Sequence, residues 1–243
     1  SSIKYYLLSI FNFFNKKHQY VFKNASALVG ITEKILNWGL NYSKRPRHEF
    51  DKVYHLSYLK SKITVPSKTI ESLKHKGLTF KNDKIYICLI GTISKFKFDL
   101  EPVIYAANRL NKIKSSIHFI ICGEGEGLEW MKSNTKKLKN INFLGWIDKN
   151  EINYILNNVH IGLAPYNNNF TYNTSIPSKI SEYLAFGLPI ISGLKGELEN
   201  FIKKHKTGFF YKNREDLYNI LFKISKNNTD ILNFRNNNIS LFK

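Results

Sequence analysis

The chain has 243 residues, of which 43% are apolar and 14% aromatic, and its formal net charge is +19. This composition excludes a disordered chain, and the length suffices to bury one large core or one and a half smaller ones. The excess of 37 lysines and arginines over 18 acids predicts attraction to polyanions or, equally, a solvated lysine surface. Because only five of these cations are arginine, the residue that contacts nucleic acid bidentately, no nucleic-acid partner is expected.

The cysteines and the hydropathy of the chain limit its expected cellular location. Cys88 and Cys122 fall in apolar runs typical of neighbouring core strands, which favours a reducing cytoplasm over secretion. The seven histidines are scattered, so no metal or other cofactor is expected. No apolar run approaches the ~20 residues that span a bilayer. The run at 5–14, YYLLSIFNFF, predicts either an interfacial membrane helix or a helix of a core or domain interface.

The first quarter of the chain holds too few elements for a complete sheet. A helix-like apolar run is followed by a strand candidate at 26–32, a helix at 33–41 and a basic loop. We interpret residues 1–60 as the end of another α/β domain whose beginning lies outside this chain. The lysine- and serine-containing residues 61–83 are predicted to be a linker.

From residue 84 onward, patterns of buried strands alternate with helical patterns. Continuous apolar runs predict strands at 84–91, 117–123, 141–145, 159–165, 189–192 and 207–211. Apolar residues at helical spacing predict a helix at 98–113. Further helices are predicted at 126–138, 148–158, 196–205 and 214–224, and between the Pro-Ser pair at 177–178 and the Gly-Leu-Pro break at 187–189. Alternation at this spacing predicts an α/β fold with a doubly wound, Rossmann-like parallel sheet.

Ligands of such sheets bind beyond the carboxyl ends of the strands. Four of the predicted strands end there in glycine or proline, at 91–94, 123–127, 145–146 and 165. Glycine admits a ligand to the backbone and the next helix offers amides to a phosphate, although tight turns also need glycine sterically. The GEGEG run at 123–127 matches a dinucleotide fingerprint only loosely, since its glutamates would repel a pyrophosphate, and it is not a Walker loop.

The stretch at 176–192, IPSKISEYLAFGLPIIS, is the most specific part of the chain. A Pro-Ser pair opens a helix that carries one carboxylate, Glu182, and a Gly-Leu-Pro break leads into a buried strand. This stretch resembles the same region of retaining glycosyltransferases of family 4, which have the GT-B fold and build bacterial surface polysaccharides such as lipopolysaccharide. The resemblance covers about residues 84–226, and residues 20–60 are similar to the end of the acceptor-side domain.

The resemblance implies a division of labour along the chain. Residues 84–243 would be the C-terminal domain that binds a nucleotide-sugar, and residues 1–60 a remnant of the N-terminal acceptor-side domain. The activity implied is transfer of a hexose-type sugar, with retention and often without a metal, to a glycan or lipid-linked acceptor. Such enzymes act at the cytoplasmic face of the membrane, so peripheral contact with anionic lipid is expected. With most of the acceptor domain missing, the chain is expected to bind donor weakly and to turn over little.

The resemblance also assigns residues to the donor. Glu182 would accept hydrogen bonds from both ribose hydroxyls, although a carboxylate there also suits the helix dipole. Amides of Ser178 and Lys179, with the lysine cation, would face the diphosphate. The base would be bordered by Gly145, Trp146 and Ile147, where Trp146 has an alternative as ordinary core. The other expected donor contacts are Gly91, Thr92, Ser94, Gly123 and Ser175.

Catalysis requires stabilisation of the departing nucleoside diphosphate. The family uses basic residues of the first βα loop, so Lys95 and Lys97 are the candidates, each with an alternative as a solvent-exposed lysine. The family's Gly-Arg pair is replaced here by Gly91 and Thr92, and the first of its two spaced glutamates is missing. Thr174 stands eight positions before Glu182, so Asn or Thr side chains or loop amides would contact the sugar.

Two other functions fit parts of the sequence. A GT-B nucleotide-sugar epimerase would need an acid/base constellation that the strand-end loops do not show. A non-catalytic protein that binds nucleotide-sugars or nucleic acid is favoured by the lysine content and opposed by the few arginines. Nucleic-acid affinity would fall steeply with salt, whereas nucleotide-sugar binding would depend on Glu182.

Overall fold

The computed structural model describes residues 15–54, residue 58 and residues 65–241, so the apolar run at 5–14 lies outside the described residues. Contacts divide the chain into two units. The first contains residues up to 56 together with 174–176, and the second contains 57–173 and 177–243.

The first unit is a small α/β cluster. Residues 15–24 form helix α1. Two short parallel strands, β1 (Val29–Gly30) and β2 (Lys52–Val53), pair within its described part, and helix α2 (Glu33–Ser43) lies between them in sequence. Thr32 caps α2, because its hydroxyl oxygen accepts a hydrogen bond from the Ile35 amide at 3.2 Å. The strand and helix predicted at 26–32 and 33–41 are therefore both present.

A buried ion pair holds the loop that follows α2. Both terminal nitrogens of Arg45 donate to the carboxylate of Asp51, each at 2.8 Å. The same carboxylate accepts from the amides of Leu28 and His48, both at 2.6 Å. The Arg45 guanidinium, with these amides, holds the pKa of Asp51 well below its ordinary value. A bidentate, fully hydrogen-bonded pair of this kind joins β1 to the loop before β2.

The second unit is built on a parallel sheet. Its described strands are β3 (Ile85–Ile90), β4 (Ile117–Cys122), β5 (Ile141–Gly145), β6 (Ile161–Ala164), β7 (Ile190–Ser192) and β8 (Gly208–Phe210). These six described strands are all parallel, in the order β5-β4-β3-β6-β7-β8. The chain moves outward from β3 in one direction and then returns to continue on its other side, which confirms the predicted doubly wound α/β fold.

Helices precede, connect and follow these strands. In the described part of the chain they are α3 (Ser67–His75), α4 (Glu101–Lys112), α5 (Glu126–Thr135), α6 (Lys149–Asn158), α7 (Phe170–Asn173), α8 (Ser178–Ala185), α9 (Glu197–His205), α10 (Arg214–Lys226) and α11 (Thr229–Leu241). The central strands are buried on both faces, which explains their continuous apolar runs. Cys88 and Cys122 are buried free thiols on neighbouring strands, as predicted.

Helix α3 lies within the segment for which the sequence predicts a linker, 61–83. Ser72 Oγ and Lys76 Nζ both donate to the Glu151 carboxylate, each at 2.8 Å. Glu151 is 3% exposed and also completes a capping box with Asp148 at the start of α6. The nine residues of α3 by themselves predict a helix only weakly. The contacts that hold α3 come from Glu151, which lies far along the chain.

Helix α8 is attached to the sheet by one aromatic side chain. Tyr183 is completely buried, and its ring covers Gly162 of β6, where an added β-carbon would lie 2.4 Å from the ring. The amide of Ile90, the last residue of β3, donates to the Tyr183 hydroxyl at 3.2 Å. The position of α8 is therefore set directly from the carboxyl end of β3.

We expect Tyr183→Phe to destabilise the second unit by about 1–3 kcal/mol, because it leaves the buried Ile90 amide without an acceptor. Urea unfolding measures the change. Tyr218→Phe, which alters a ring stacked on Phe222 of α10, is the control and should cost under about 0.5 kcal/mol. Equal effects of the two substitutions would contradict this role of Tyr183.

The lowered pKa of Asp51 predicts acid sensitivity of the first unit. A carboxyl whose pKa is depressed by folding stabilises the fold above its unfolded pKa, near 3.9, and loses this contribution as the pH falls. The protection factors of the Leu28 and His48 amides against exchange with solvent should fall below about pH 4–5. In Asp51→Asn they should already be low at neutral pH.

The exposed pair of Arg47 and Glu33 provides the control, because surface ion pairs contribute little. Glu33→Gln should leave the exchange profile unchanged. A profile of Asp51→Asn that matches the unsubstituted protein would refute the prediction.

Candidate functional site

A cleft of about 520 Å³ opens at the carboxyl ends of β3, β4 and β5 in the second unit. This edge is where ligands of doubly wound sheets bind, next to the point at which the strand order reverses. The cleft is lined by Ile90, Gly91, Thr92, Cys122, Gly123, Glu124, Gly125, Trp146, Ile147, Ile152 and Lys179. The structure thus brings together six of the residues that the sequence predicts as donor contacts: Gly91, Thr92, Gly123, Trp146, Ile147 and Lys179.

Glycines make the floor of the cleft possible. An added β-carbon at Gly123 would lie 1.9 Å from the Gly91 carbonyl oxygen, and one at Gly125 would lie 2.4 Å from the Ile93 carbonyl oxygen. Only glycine fits where the two loops approach so closely. The steric interpretation of these glycines therefore holds, and the same close approach exposes backbone to the cleft.

The two candidate lysines of the β3–α4 loop point to different places. Lys97 Nζ would lie 3.5 Å from a β-carbon at Gly91, so it reaches the edge of the cleft. Lys95 Nζ instead lies 4.3 Å from the centre of the Trp130 ring, in a cation–π contact. The sequence could not separate these two lysines, whereas the structure does.

The cleft is electropositive where Lys97 approaches it. Burial lowers the pKa of the Lys97 ammonium, and the charge of Lys179 lowers it further. The ring centres of Phe98 and Tyr166 lie 5.0 and 5.7 Å from its Nζ. Because a second cation and burial both disfavour the charged form of Lys97, an anionic ligand beside it would be favoured.

Ser94, predicted as a donor contact, is engaged within the loop. Its hydroxyl donates to Glu126 Oε1 at 2.6 Å, and the Lys95 amide donates to the same oxygen at 2.8 Å. These bonds lower the pKa of Glu126, with the Ser94 hydroxyl as the largest cause. The Ser94 side chain therefore shapes the loop, and it is not among the cleft-lining residues.

Glu182 lies on α8 next to Tyr183 and is 7% exposed. Its carboxylate forms a hydrogen-bonded ion pair with Lys179, one turn earlier on the helix. The Tyr58 hydroxyl also bonds to Glu182, which together with burial raises the pKa of Tyr58. The tyrosine ring packs 6.2 Å from that of Phe186. Glu182 thus contacts the cleft through Lys179, and Tyr58 is a partner that no pattern in the sequence indicated.

The first turn of α8 carries Lys179, whose side chain lines the cleft. Pro177 precedes the helix at its N-cap, and Ser178 is the first helical residue. Amides of a first helical turn have no acceptor within the helix, and they carry the positive end of its dipole. Ser178 and Lys179 therefore supply backbone donors beside the Lys179 side chain that lines the cleft.

The far wall is the turn after β5. Trp146 is 67% exposed, so its interpretation as ordinary core is wrong, whereas Ile147 is buried. Gly145 precedes them with a φ of +63° and its carbonyl accepts from the Gly123 amide at 2.7 Å. Lys76 Nζ donates to the Trp146 carbonyl at 3.0 Å and so holds this turn to the residues after α3.

Ser175 is not among the cleft-lining residues, whereas Glu124 is. Ser175 is buried and belongs to the segment 174–176, which packs with the first unit, where Thr32 Oγ1 donates to the Thr174 carbonyl at 2.6 Å. Glu124 lines the cleft although the sequence suggested only repulsion of a pyrophosphate. Its position directly after a predicted strand could have indicated that Glu124 lies at this edge of the sheet.

Within 15–54, 58 and 65–241, no three His, Cys, Asp or Glu side chains are grouped so that they would hold a metal ion. None of the helices in the described part of the chain has the length and apolarity needed to cross a bilayer.

Comparison with solved structures shows a shared fold at low identity. The chain is similar to Anabaena Alr3699/HepE in complex with UDP, with TM-score 0.69 and 14% identity over 91% of this chain and 60% of that chain. It is also similar to WaaG, a glycosyltransferase involved in lipopolysaccharide biosynthesis, with TM-score 0.66 and 14% identity over 88% of this chain and 58% of that chain. For the catalytic domain of cholesterol-α-glucosyltransferase from Helicobacter pylori, the TM-score is 0.52 and the identity 20%, over 65% of this chain and 96% of that chain.

These similarities establish the GT-B fold, and the chain spans about 60% of the HepE chain. A comparison with curated proteins finds no match. A sequence profile of the family described as "Glycosyl transferases group 1" matches residues 71–240. Because this match covers well over half of the chain, the protein belongs to the group 1 glycosyl transferases.

Proposed function

We propose that the second unit binds a nucleotide-sugar donor in the cleft at the ends of β3, β4 and β5, as the C-terminal domain of a retaining family 4 enzyme. The reaction is transfer of a hexose-type sugar to a glycan or lipid-linked acceptor in cell-surface polysaccharide synthesis. It takes place in the cytoplasm, with peripheral contact to anionic membrane, and needs no metal. The observation that carries the proposal is a cleft lined by Lys179 of α8 and by the strand-end glycines, whose edge Lys97 reaches.

The diphosphate is the part of the donor that this arrangement suits best. Burial and the charge of Lys179 disfavour the charged state of Lys97, and a diphosphate beside the two lysines would offset that penalty. First-turn amides of α8 would add neutral donors to the same oxygens. During transfer, negative charge grows on the leaving diphosphate, so fixed cations at this place stabilise the transition state more than the ground state.

The ribose would exchange places with existing partners of Glu182. The carboxylate now accepts hydrogen bonds from Lys179 and Tyr58. Two ribose hydroxyls would replace them without leaving a buried carboxylate unsatisfied. Lys179, released from Glu182, would then be available to the diphosphate. Glu182 therefore couples recognition of the ribose to neutralisation of the phosphates.

The exposed Trp146 and the backbone of its turn would border the base. HepE is described in complexes with UDP and UDP-glucose, so uridine diphosphate sugars are the first donors to test.

The alternative functions gain no support of their own. The titratable side chains among the described cleft-lining residues are Cys122, Glu124 and Lys179, and burial raises the pKa of the Cys122 thiol. An epimerase would need a paired acid and base at the sugar. A non-catalytic nucleotide-sugar-binding protein would use the same cleft, and only a turnover measurement separates it from a transferase.

Removing the Glu182 carboxylate should abolish most of the thermal stabilisation by nucleotide-sugars. Against a panel of UDP-, GDP- and ADP-sugars, the unsubstituted chain should be stabilised by one base class. Glu182→Gln should weaken that binding about 10–100-fold, because the amide keeps one acceptor oxygen and loses one hydrogen bond to a charged acceptor, which contributes about 1.5–3 kcal/mol.

Glu199→Gln is the matched control, since Glu199 pairs with Lys203 on the neighbouring helix α9 in a similar manner. It should leave donor binding unchanged. Donor-induced stabilisation that survives Glu182→Gln in full would exclude the proposed ribose contact.

The two loop lysines allow a second test with a built-in control. Lys97→Met should reduce the affinity for UDP about tenfold or more in calorimetry, because one cation facing the diphosphate is lost. Lys95→Met should change it less than about twofold, since Lys95 lies over Trp130. The reverse order of effects would show that the loop rearranges on binding and that the wrong lysine has been assigned.

A further inference from the structure

A second cleft lies at the opposite, amino-terminal edge of the same sheet. Its volume is about 480 Å³, and it is formed where β3, β4 and β5 begin. Strands of five or six residues separate it from the donor cleft by roughly 15–20 Å, so it does not depend on the proposed function. It is lined by Lys84, Asn111, Lys114, Ser115, His118, Lys139 and Asn140.

The charge of this cleft is positive. Three of its lining residues are lysines, and among the described residues that line it none is a carboxylate. The nearest acid in an ion pair with them is Asp83, 3.5 Å from Lys84 Nζ, and its side chain is 71% exposed. Surface pairs of this kind neutralise little. Burial lowers the pKa of His118, and Lys84 and Lys81 lower it further, whereas the hydrogen bond that His118 donates to Asn142 raises it.

The walls that carry these cations are held in place. Lys114 has a φ of +50° at the end of α4, where its amide donates to the Asn111 carbonyl at 3.1 Å. The Lys139 amide donates to the Asn111 side chain at 3.0 Å, which joins the ends of two connections. The Ser115 hydroxyl oxygen accepts from the Ile117 amide at 3.3 Å, so its proton points elsewhere and remains available to an acceptor.

We propose that this cleft binds a phosphate group through Lys84, Lys114 and Lys139, with Ser115 as a neutral donor. Lysine is a point-charge ligand of phosphate that needs no planar fork. A volume of about 480 Å³ accommodates a phosphate or pyrophosphate but not a nucleic-acid duplex. The phosphate comes either from a free anion or from a lipid headgroup, and the chemistry of recognition is the same for both.

Pyrophosphate titration followed by the ring resonances of His118 tests the proposal site by site. His118 lies in this cleft and not in the donor cleft, so its signals report this site alone. They are assigned with His118→Gln. We expect saturable shifts and a rise in the pKa of His118, because a bound anion offsets the lysine charges. The absence of saturable shifts would overturn the proposal.

The test variant combines Lys84→Gln, Lys114→Gly and Lys139→Gln. Glycine is favoured at a φ of +50°, so the substitution at 114 should not harm the fold. The matched control removes three exposed lysines of the same unit, as Lys204→Gln, Lys212→Gln and Lys223→Gln. Pyrophosphate affinity should fall about tenfold or more in the test variant and stay within about twofold in the control. Equal losses in both would show general electrostatic attraction and overturn the site.

Co-sedimentation with vesicles distinguishes the two sources of phosphate. Vesicles of phosphatidylglycerol and of phosphatidylcholine are compared for the unsubstituted chain, the test variant and the control variant. Binding to phosphatidylglycerol that is lost only in the test variant identifies the headgroup as the ligand. Vesicle binding that is the same in all three, together with the selective loss of pyrophosphate affinity, identifies a free anion.

Discussion

The contact between Tyr183 and Gly162 determines where the functional groups of α8 lie. The buried Tyr183 ring packs directly on Gly162, which has no β-carbon, and this contact sets the position of α8 on the sheet. The hydrogen bond from the Ile90 amide to the Tyr183 hydroxyl fixes the helix at the end of β3. Glu182 is the next residue along the chain, and Lys179 lies one turn earlier. A packing constraint therefore delivers a carboxylate and a cation to the edge where parallel sheets bind ligands. The glycines of the facing loops leave the space that a ligand would occupy.

The charged side chains at this edge could exchange their present partners for groups of a bound donor. In the described structure Lys179 pairs with Glu182, while Lys97 approaches from the β3–α4 loop and has a lowered pKa. The proposed donor would bring two hydroxyls for the carboxylate and a diphosphate for the lysines, so Glu182 and Lys179 would exchange their present partners for groups of the donor. Differential interaction of this kind permits a ligand to shift the local arrangement. The turn at Trp146, held by Lys76, would form a wall that does not take part in the exchange.

Much of the fold was predictable because strands buried on both faces appear as continuous apolar runs. The doubly wound sheet, the strand-end glycines and the Glu182 helix all follow from such local patterns. Helix α3 was missed because its main anchor is Glu151, a side chain about 75 residues away. The difference between Lys95 and Lys97 was also inaccessible, since it depends on whether a side chain meets Trp130 or Gly91. Tyr58 was missed because its contact with Glu182 has no sequence spacing that would indicate it.

A crystal structure of the chain with UDP would show whether these groups hold the nucleotide. We predict the diphosphate between Lys97 and the first turn of α8, and both ribose hydroxyls on the Glu182 carboxylate. Lys179 and the Tyr58 hydroxyl should then have left that carboxylate. A nucleotide bound elsewhere, or a Glu182 that keeps both of its present partners while UDP is bound, would contradict it.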